Sequence, residues 1–272
     1  MKTRFRNRVV VVTGAAAGIG RQLCLRFAQA GAWIVMLDLK QEPLDALGNQ
    51  LMVKHNTKAL GLVCDISDPD AVAQAFDRIL DQFGGIDLLI NNAGIVHRSA
   101  FVDTELEVFR RVMEVNYFGS LYCTKSALPS LLERKGMIIA MSSMSGFAPL
   151  WHRSGYSASK HALHGLFDCL RVELAESGVQ VMMVCPGFTA TDIRKNALRA
   201  DGSIRGEPFP WIGDVASAVD VAEDVFQGAL KGKRLLVLSN VGRGSRLLYR
   251  FFPQLFERLV SARLSGVGDQ KS

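Results

Sequence analysis

Tyr156 and Lys160 stand four residues apart in the stretch YSASK, ahead of a long apolar-periodic run. On a helix that spacing puts both side chains on one face. A free tyrosine, with a pKa of about 10, is too weakly ionised to take a proton from an alcohol near neutral pH. A cation beside it stabilises the phenolate, so phenol and ammonium together have the parts of an acid/base couple. Alone, such a pair is usually a solvated helix face, and its meaning depends on what surrounds it.

The first strand-like run ends in TGAAAGIGR, with Gly14, Gly18, Ile19 and Gly20. Glycines at a strand-to-helix turn allow a tight bend and close approach of a pyrophosphate, and the helix N-terminus offers free N–H groups to the anion. A bare tight loop would carry the same residues, but the strand–turn–helix context argues for the phosphate. Eighteen residues beyond Gly20, the second run ends in Asp38. A carboxylate there accepts hydrogen bonds from adenosine ribose hydroxyls and repels a 2′-phosphate, which favours NAD over NADP. Arg21 and Lys40 stand close enough in sequence to attract that phosphate, so NADP stays open.

These side chains need a scaffold, and the sequence supplies one. Strand-length apolar runs at 8–13, 33–38, 59–65, 86–91, 136–142, 179–186 and 234–239 alternate with helical patterns at 18–30, 41–55, 69–83, 105–134, 155–176 and 214–231. Continuous rather than alternating apolar runs fit strands buried on both faces. The repeat implies an α/β fold, a single Rossmann-type doubly wound domain with a seven-stranded parallel sheet, spanning 1–241. The segment from Pro186 to Trp211 breaks the rhythm with Gly, Pro and charge, and reads as a substrate lid at about 187–213. A C-terminal amphipathic extension, 242–272, places Leu247, Leu248, Phe251, Phe252, Leu255, Phe256, Leu259 and Val260 on one helical stripe, with Pro253 bending it or opening a second helix.

With 272 residues, 49% hydrophobic and 21% charged, the chain is a compact globular protein. Its net charge of +6 is concentrated at the ends, in Arg4, Arg6 and Arg8 and in Arg243, Arg246, Arg250, Arg258 and Arg263, which argues against a nucleic-acid stripe. Cys24, Cys64, Cys123, Cys169 and Cys185 lie apart in apolar runs and read as reduced core residues. There is no signal-peptide pattern and no stretch of the ~18 apolar residues a membrane span needs, so a cytoplasmic location is expected. His161 and His164 lack the third ligand of a zinc site, and no metal is expected. His97 and His152 lie nearer the substrate mouth.

Gly14-x-x-x-Gly18-x-Gly20, NNAG at 91–94, Asn116, a serine thirteen residues before Tyr156-x-x-x-Lys160, and Pro186-Gly187 together resemble the short-chain dehydrogenases/reductases, across nearly the whole chain. The likeness extends to hydroxysteroid- and retinol-dehydrogenase-like members. It implies that Tyr156 is the general acid/base, that Lys160 tunes it and bonds the nicotinamide ribose, that Ser143 polarises the substrate oxygen, and that Asn116 holds a water leading to Lys160. It further implies adenine contacts at Asp65 and Ile66, and packing of Asn92, Ala93 and Gly94 beside the adenosine ribose. Pro186, Gly187, Thr189 and Thr191 would lie against the nicotinamide amide; Asn91 serves the sheet. Ala140 is a departure, since the family often has Asn there.

Ser143, Met144, Leu150 and Phe188 are expected to line the substrate site. The lid adds Phe209 and Trp211, and an apolar cleft suits a lipophilic secondary alcohol or ketone. Arg194, Lys195, Arg199 and Arg205 read as a solvated face of the lid. The tail's stripe serves interior packing, a subunit interface or peripheral contact with an anionic membrane, interior or subunit packing being the default. The long helices at 105–134 and 155–176 resemble those that pair in the family's homodimers and homotetramers. The expected activity is NAD(P)-dependent interconversion of a secondary alcohol and a ketone or aldehyde. The rivals are a dinucleotide-binding regulatory or redox-sensing protein, and a reductase of an acyl thioester or polar alcohol.

Overall fold

The computed structural model describes residues 4–208 and 215–265. VVVVT forms β1 (Val9–Thr13), buried along its whole length, as a strand with helices on both faces must be. It is followed by β2 (Trp33–Asp38), β3 (Ala59–Val63), β4 (Leu88–Asn91), β5 (Met137–Met141) and β6 (Gln180–Cys185). After them come a two-residue pair, β7 (Thr189–Ala190) and β8 (Ala216–Ser217), and then β9 (Leu235–Val237). The main sheet has seven strands in the order β3-β2-β1-β4-β5-β6-β9, all parallel.

Helices α1 (Gly18–Gln29), α2 (Gln41–His55), α3 (Pro69–Phe83), α4 (Leu106–Met113), α5 (Gly119–Arg134), α6 (Ser154–Glu173) and α7 (Ala218–Leu230) join these strands, and α8 (Asn240–Phe251) and α9 (Pro253–Ser265) close the chain. α3 shows how locally such boundaries are set. The Asp68 carboxylate accepts from the N–H groups of Asp70 and Ala71, Pro69 occupies the first turn, and Gly84 ends the helix at φ 68°.

Alternate residues of β1 feed two cores. Val10 and Val12 pack with Leu23, Phe27, Met36 and Phe226 on one face; Val9 and Val11 pack with Phe76, Ile79, Leu131 and Phe167 on the other. Phe27 sits edge-on to both Phe5 and Phe226, at centroid distances of 5.0 and 5.2 Å. Truncating it to alanine would cost about 3–5 kcal/mol.

Strand order runs outward in opposite directions from β1 and β4, so a crevice opens beyond their carboxyl ends. That crevice is where Gly14, Asp38, Asn92 and Ser143 emerge.

Several expectations need correction. The stretch 105–134 is not one α-helix: a π-helical turn, Glu114–Phe118, separates α4 from α5. Apolar periodicity ran through it unbroken and gave no sign of the extra residue. Pro253 opens a second helix, and the tail's stripe is not packed inside this chain: Phe251, Phe252, Leu255 and Leu259 are exposed, and only Phe256 is buried, against Tyr249. Cys169 is exposed on α6, while the other four cysteines are buried. In the segment expected to form a lid, Leu198 pairs with residues 96–98; Phe209 and Trp211 lie outside the described residues.

Candidate active site

A cleft of about 650 Å³ runs along the carboxyl edge of the sheet. At one end the glycine turn lies between β1 and α1. Gly14 has φ 63°, open to glycine without strain. Gly20 has no room for a side chain, because a Cβ would fall 2.0 Å from the Gly14 carbonyl oxygen. Asp38 braces the turn: its Oδ2 accepts from Ala16 N–H at 2.8 Å and its Oδ1 from Leu39 N–H at 2.8 Å. Arg21 is engaged with Gln50. The Asn92 amide donates to the carbonyls of Thr13 and Gly14 at 2.9 and 3.1 Å, tying β4 to the turn. Asp65 is held in a local turn by Ser67, and Asn91 donates to Thr124 within the fold, as expected of a residue serving the sheet.

At the other end stand the residues of proton chemistry. Tyr156 and Lys160 project from the first turns of α6, and both are buried. Lys160 Nζ donates to the Met141 carbonyl at 2.9 Å and lies 5.8 Å from the Tyr156 ring centroid. Burial lowers its pKa to about 8. Burial raises that of Tyr156, while a hydrogen bond from Ser143 and the charge of Arg153 pull it back. Ser143 begins a short turn and accepts from Ser145 N–H at 3.2 Å.

Asn116 lies in the π-helical turn, fully buried, behind this group. Its amide exchanges hydrogen bonds with both backbone groups of Ile95, accepting at 2.8 Å and donating at 3.0 Å, and donates to Ser159 at 2.9 Å. A Cβ on Gly94 would stand 3.0 Å from the Asn116 amide oxygen and 3.5 Å from Lys160 Nζ, so this glycine lets the three meet.

The cleft gathers nearly every residue singled out by sequence. Gly14, Gly18, Ile19, Asp38, Asp65, Ile66, Asn92, Ala93 and Gly94 line it, as do Ser143, Met144, Leu150, Tyr156 and Lys160. Pro186, Gly187, Phe188, Thr189 and Thr191, which follow β6, line it as well. Gly20 and Asn116 lie beneath the surface as supports. His97 does not reach the cleft: it is fully buried, and its Nε2 accepts from Gly155 N–H at 2.9 Å, anchoring the start of α6. Burial holds its pKa near 4, so the ring is neutral and able to accept. Sequence reasoning missed Arg153, which lines the cleft from the position just before α6, three residues ahead of Tyr156. It also took Arg194 for a solvated charge, whereas the side chain is only 5% exposed.

The family model for short chain dehydrogenases matches residues 8–202. The chain belongs to the short-chain dehydrogenase/reductase family, and is an oxidoreductase acting on CH–OH groups. It is 39% identical over 269 residues to dehydrogenase/reductase SDR family member 7B of Rattus norvegicus, covering 96% of this chain and 83% of the relative. The SDR family protein 7-like of Drosophila melanogaster is 33% identical over 269 residues, with 96% and 82% covered. Among solved structures, a short chain dehydrogenase/reductase of Burkholderia phymatum in complex with NAD superposes with a TM-score of 0.80 at 22% identity, over 92% of this chain and 95% of that one. A short-chain dehydrogenase of Sphingobium yanoikuyae in complex with NADPH gives 0.77 at 25% identity, over 97% and 96%.

The residues present fit a nicotinamide dinucleotide. The turn's missing side chains leave room for a pyrophosphate at the N-terminus of α1, and the cleft continues from Asp38 to Tyr156. Among the described residues no cluster of His, Cys, Asp or Glu could hold a metal ion, and no helix is long and apolar enough to cross a membrane.

Proposed function

We propose that the chain interconverts a secondary alcohol and a ketone or aldehyde on a largely apolar substrate, with Tyr156 as general acid/base and NAD as the preferred cofactor. When bound, the nicotinamide supplies or accepts the hydride at its C4. The protein's residues do the rest. Ser143 and Tyr156 direct their hydroxyls at the substrate oxygen, and Tyr156 Oη gives the proton in reduction or takes it in oxidation. Lys160 keeps a positive charge behind the phenol and is placed to bond the nicotinamide ribose. Asn116 fixes the loop carrying Ile95 and, through Ser159, the helix carrying Tyr156 and Lys160.

The observation that carries this reading is the meeting of Ser143, Tyr156 and Lys160 on one wall of the cleft whose far end is the glycine turn. A pure dinucleotide binder has no use for a buried phenol held against a serine and a lysine. Asp38 supports NAD, because a carboxylate at the end of β2 repels a 2′-phosphate, and Arg21 is turned to Gln50. Ile95, Val96, Met144, Leu150 and Phe188 supply the apolar lining. The exposed row on α8 and α9, flanked by Arg243, Arg250 and Arg258, supports covering of the tail by a second copy of the chain or by an anionic bilayer. Sedimentation with and without anionic vesicles separates the two.

The test is oxidation of NADH and NADPH by purified protein over a panel of lipophilic ketones. Turnover with NADH should fall about 10²–10⁴-fold in Tyr156→Phe, the usual worth of a positioned proton donor. Tight NADH binding without turnover of any ketone would favour a binding protein instead.

A further inference from the structure

Tyr156 and Lys160 do not end the row of polar side chains on the inner side of α6. His164 follows at the same spacing, half-buried, and the proton chemistry described above makes no use of it. The ring lies between two segments that line the cleft beside Tyr156. On one side is the turn that Ser143 begins, closed by Gly146 N–H donating to the Ser143 carbonyl at 3.0 Å. Gly146 rests on the imidazole: a Cβ there would fall 2.8 Å from His164 Cδ2 and 2.9 Å from Nε2, so a side chain at this position would displace the ring or the turn. On the other side is Cys185, which ends β6 and leads into Pro186 and Gly187 on the cleft wall. Its Sγ stands 3.7 Å from the same Nε2.

Both partners are in the protonation states this contact needs. Burial lowers the His164 pKa and the charge of Asp168 only partly opposes it, so the ring is neutral and Nε2 can accept. Burial pushes the Cys185 thiol up to about 12, so the sulfur keeps its proton and donates. A thiol is a weak donor, and the contact fixes direction more than it adds energy. With the Ser143 turn against one edge of the imidazole and the end of β6 against the other, the width of the ring sets how far apart the two stand. A hydrogen bond joins Ser143 to Tyr156, so a shift of the turn is felt at the phenol.

We infer that His164 is a positioning residue of this site. Its neutral ring holds the Ser143 turn at a set distance from the Cys185 end of β6, and so aims the Ser143 hydroxyl at Tyr156 and at the substrate oxygen. The inference rests on the oxidoreductase reading of the site and adds to it the side chain that fixes the place of the serine.

Two measurements test it, and the first needs no turnover. In NADH-loaded protein isotopically labelled at tyrosine Cζ, the resonance of Tyr156, assigned by its loss in Tyr156→Phe, reports the hydrogen bonding of the phenol. Ser143→Ala should move that resonance, and His164→Ala should move it the same way. His164→Gln, which keeps an acceptor, should return it toward the position in the parent. His161→Gln, an exposed neighbour on α6, should leave it unmoved. Gly146→Ala presses on the ring from the opposite side and should also displace the resonance, which keeps the test decisive if His164→Ala does not fold.

The second compares kcat, KM and NADH affinity on a ketone that the parent reduces. His164→Ala should lose about ten- to a hundredfold in kcat, the order of loss that a misplacement of about 1 Å produces. NADH affinity should be kept, and His164→Gln should recover most of kcat. A resonance that moves in Ser143→Ala but holds in both His164→Ala and Gly146→Ala overturns the positioning role and leaves the oxidoreductase reading standing. A loss shared equally by NADH binding, or one that His164→Gln does not recover, also overturns it, since the ring would then only fill space. If Ser143→Ala itself leaves the resonance in place, the two hydroxyls do not meet and both readings fall. Resonance shifts in His164→Ala and Gly146→Ala without turnover of any ketone keep the positioning role and remove the oxidoreductase reading.

Discussion

At the glycine-turn end of the cleft, positions are held by backbone and short side chains: Gly14 and Gly20 by conformation and space, Asp38 and Asn92 by bonds to main-chain groups. At the Tyr156 end they are held by long side chains and by the segment after β6, with Arg153, Arg194 and Lys160 partly or wholly withdrawn from water. The first arrangement tolerates little change in geometry but carries few costly charges. The second depends on contacts between segments far apart in the sequence, as where Leu198 pairs with Val96 and Arg98.

The sharpest way to break this contrast is Gly20→Val. Its Cβ has backbone 2.0 Å away and nothing flexible to displace, so stability should fall by about 1–3 kcal/mol or more, with NADH affinity lost alongside. Thermal unfolding and NADH fluorescence titration would read both. If the variant binds NADH normally, the turn is softer than its geometry implies.

A smaller effect is expected from Asp38→Ala, which frees Ala16 N–H and removes the charge opposed to a 2′-phosphate. The NADH over NADPH preference should drop roughly tenfold, the worth of one charged contact, in paired kcat/KM measurements. An unchanged preference would mean that Asp38 only braces the loop.

His97 sharpens the contrast through pH. Its folded pKa of about 4 lies below the ordinary 6.5, so between those values the unfolded chain binds more protons and stability falls as pH is lowered. Protonation also removes the acceptor for Gly155 N–H, loosening the start of α6. His97→Gln should flatten this part of the stability–pH curve in chemical denaturation. A slope equal to that of the parent would assign the acid sensitivity elsewhere.

The least effect on stability is expected from Phe251→Ser, since the ring is exposed: within about 0.5 kcal/mol, but with weaker self-association or vesicle binding.

The glycine-turn end was legible in the sequence because its logic is local. Strand, turn, helix and Asp38 follow one another, and the apolar runs named all seven strands of the main sheet. At the Tyr156 end, Tyr156 and Lys160 were legible through the helix they share and Ser143 through its spacing to Tyr156, but the arginines were not. Arg194 was misread because side-chain type alone assigns an arginine to solvent. Its burial depends on residues 96–98 meeting residue 198, a contact far apart in sequence. His97 was misplaced for the same reason. The tail's stripe was rightly seen as amphipathic, yet nothing local says whether such a face turns inward.

The π-helical turn at Glu114–Phe118 leaves a final consequence. Such a turn carries one residue more than the α-helical turn it replaces, and turns of this kind are frequent at functional sites. Deleting Val115 should therefore restore an ordinary helix and rotate Asn116 away from Ile95 and Ser159, leaving a buried amide without its partners and lowering stability and activity together. The irregular turn thus aims one side chain inward at a point where a regular helix would aim it elsewhere.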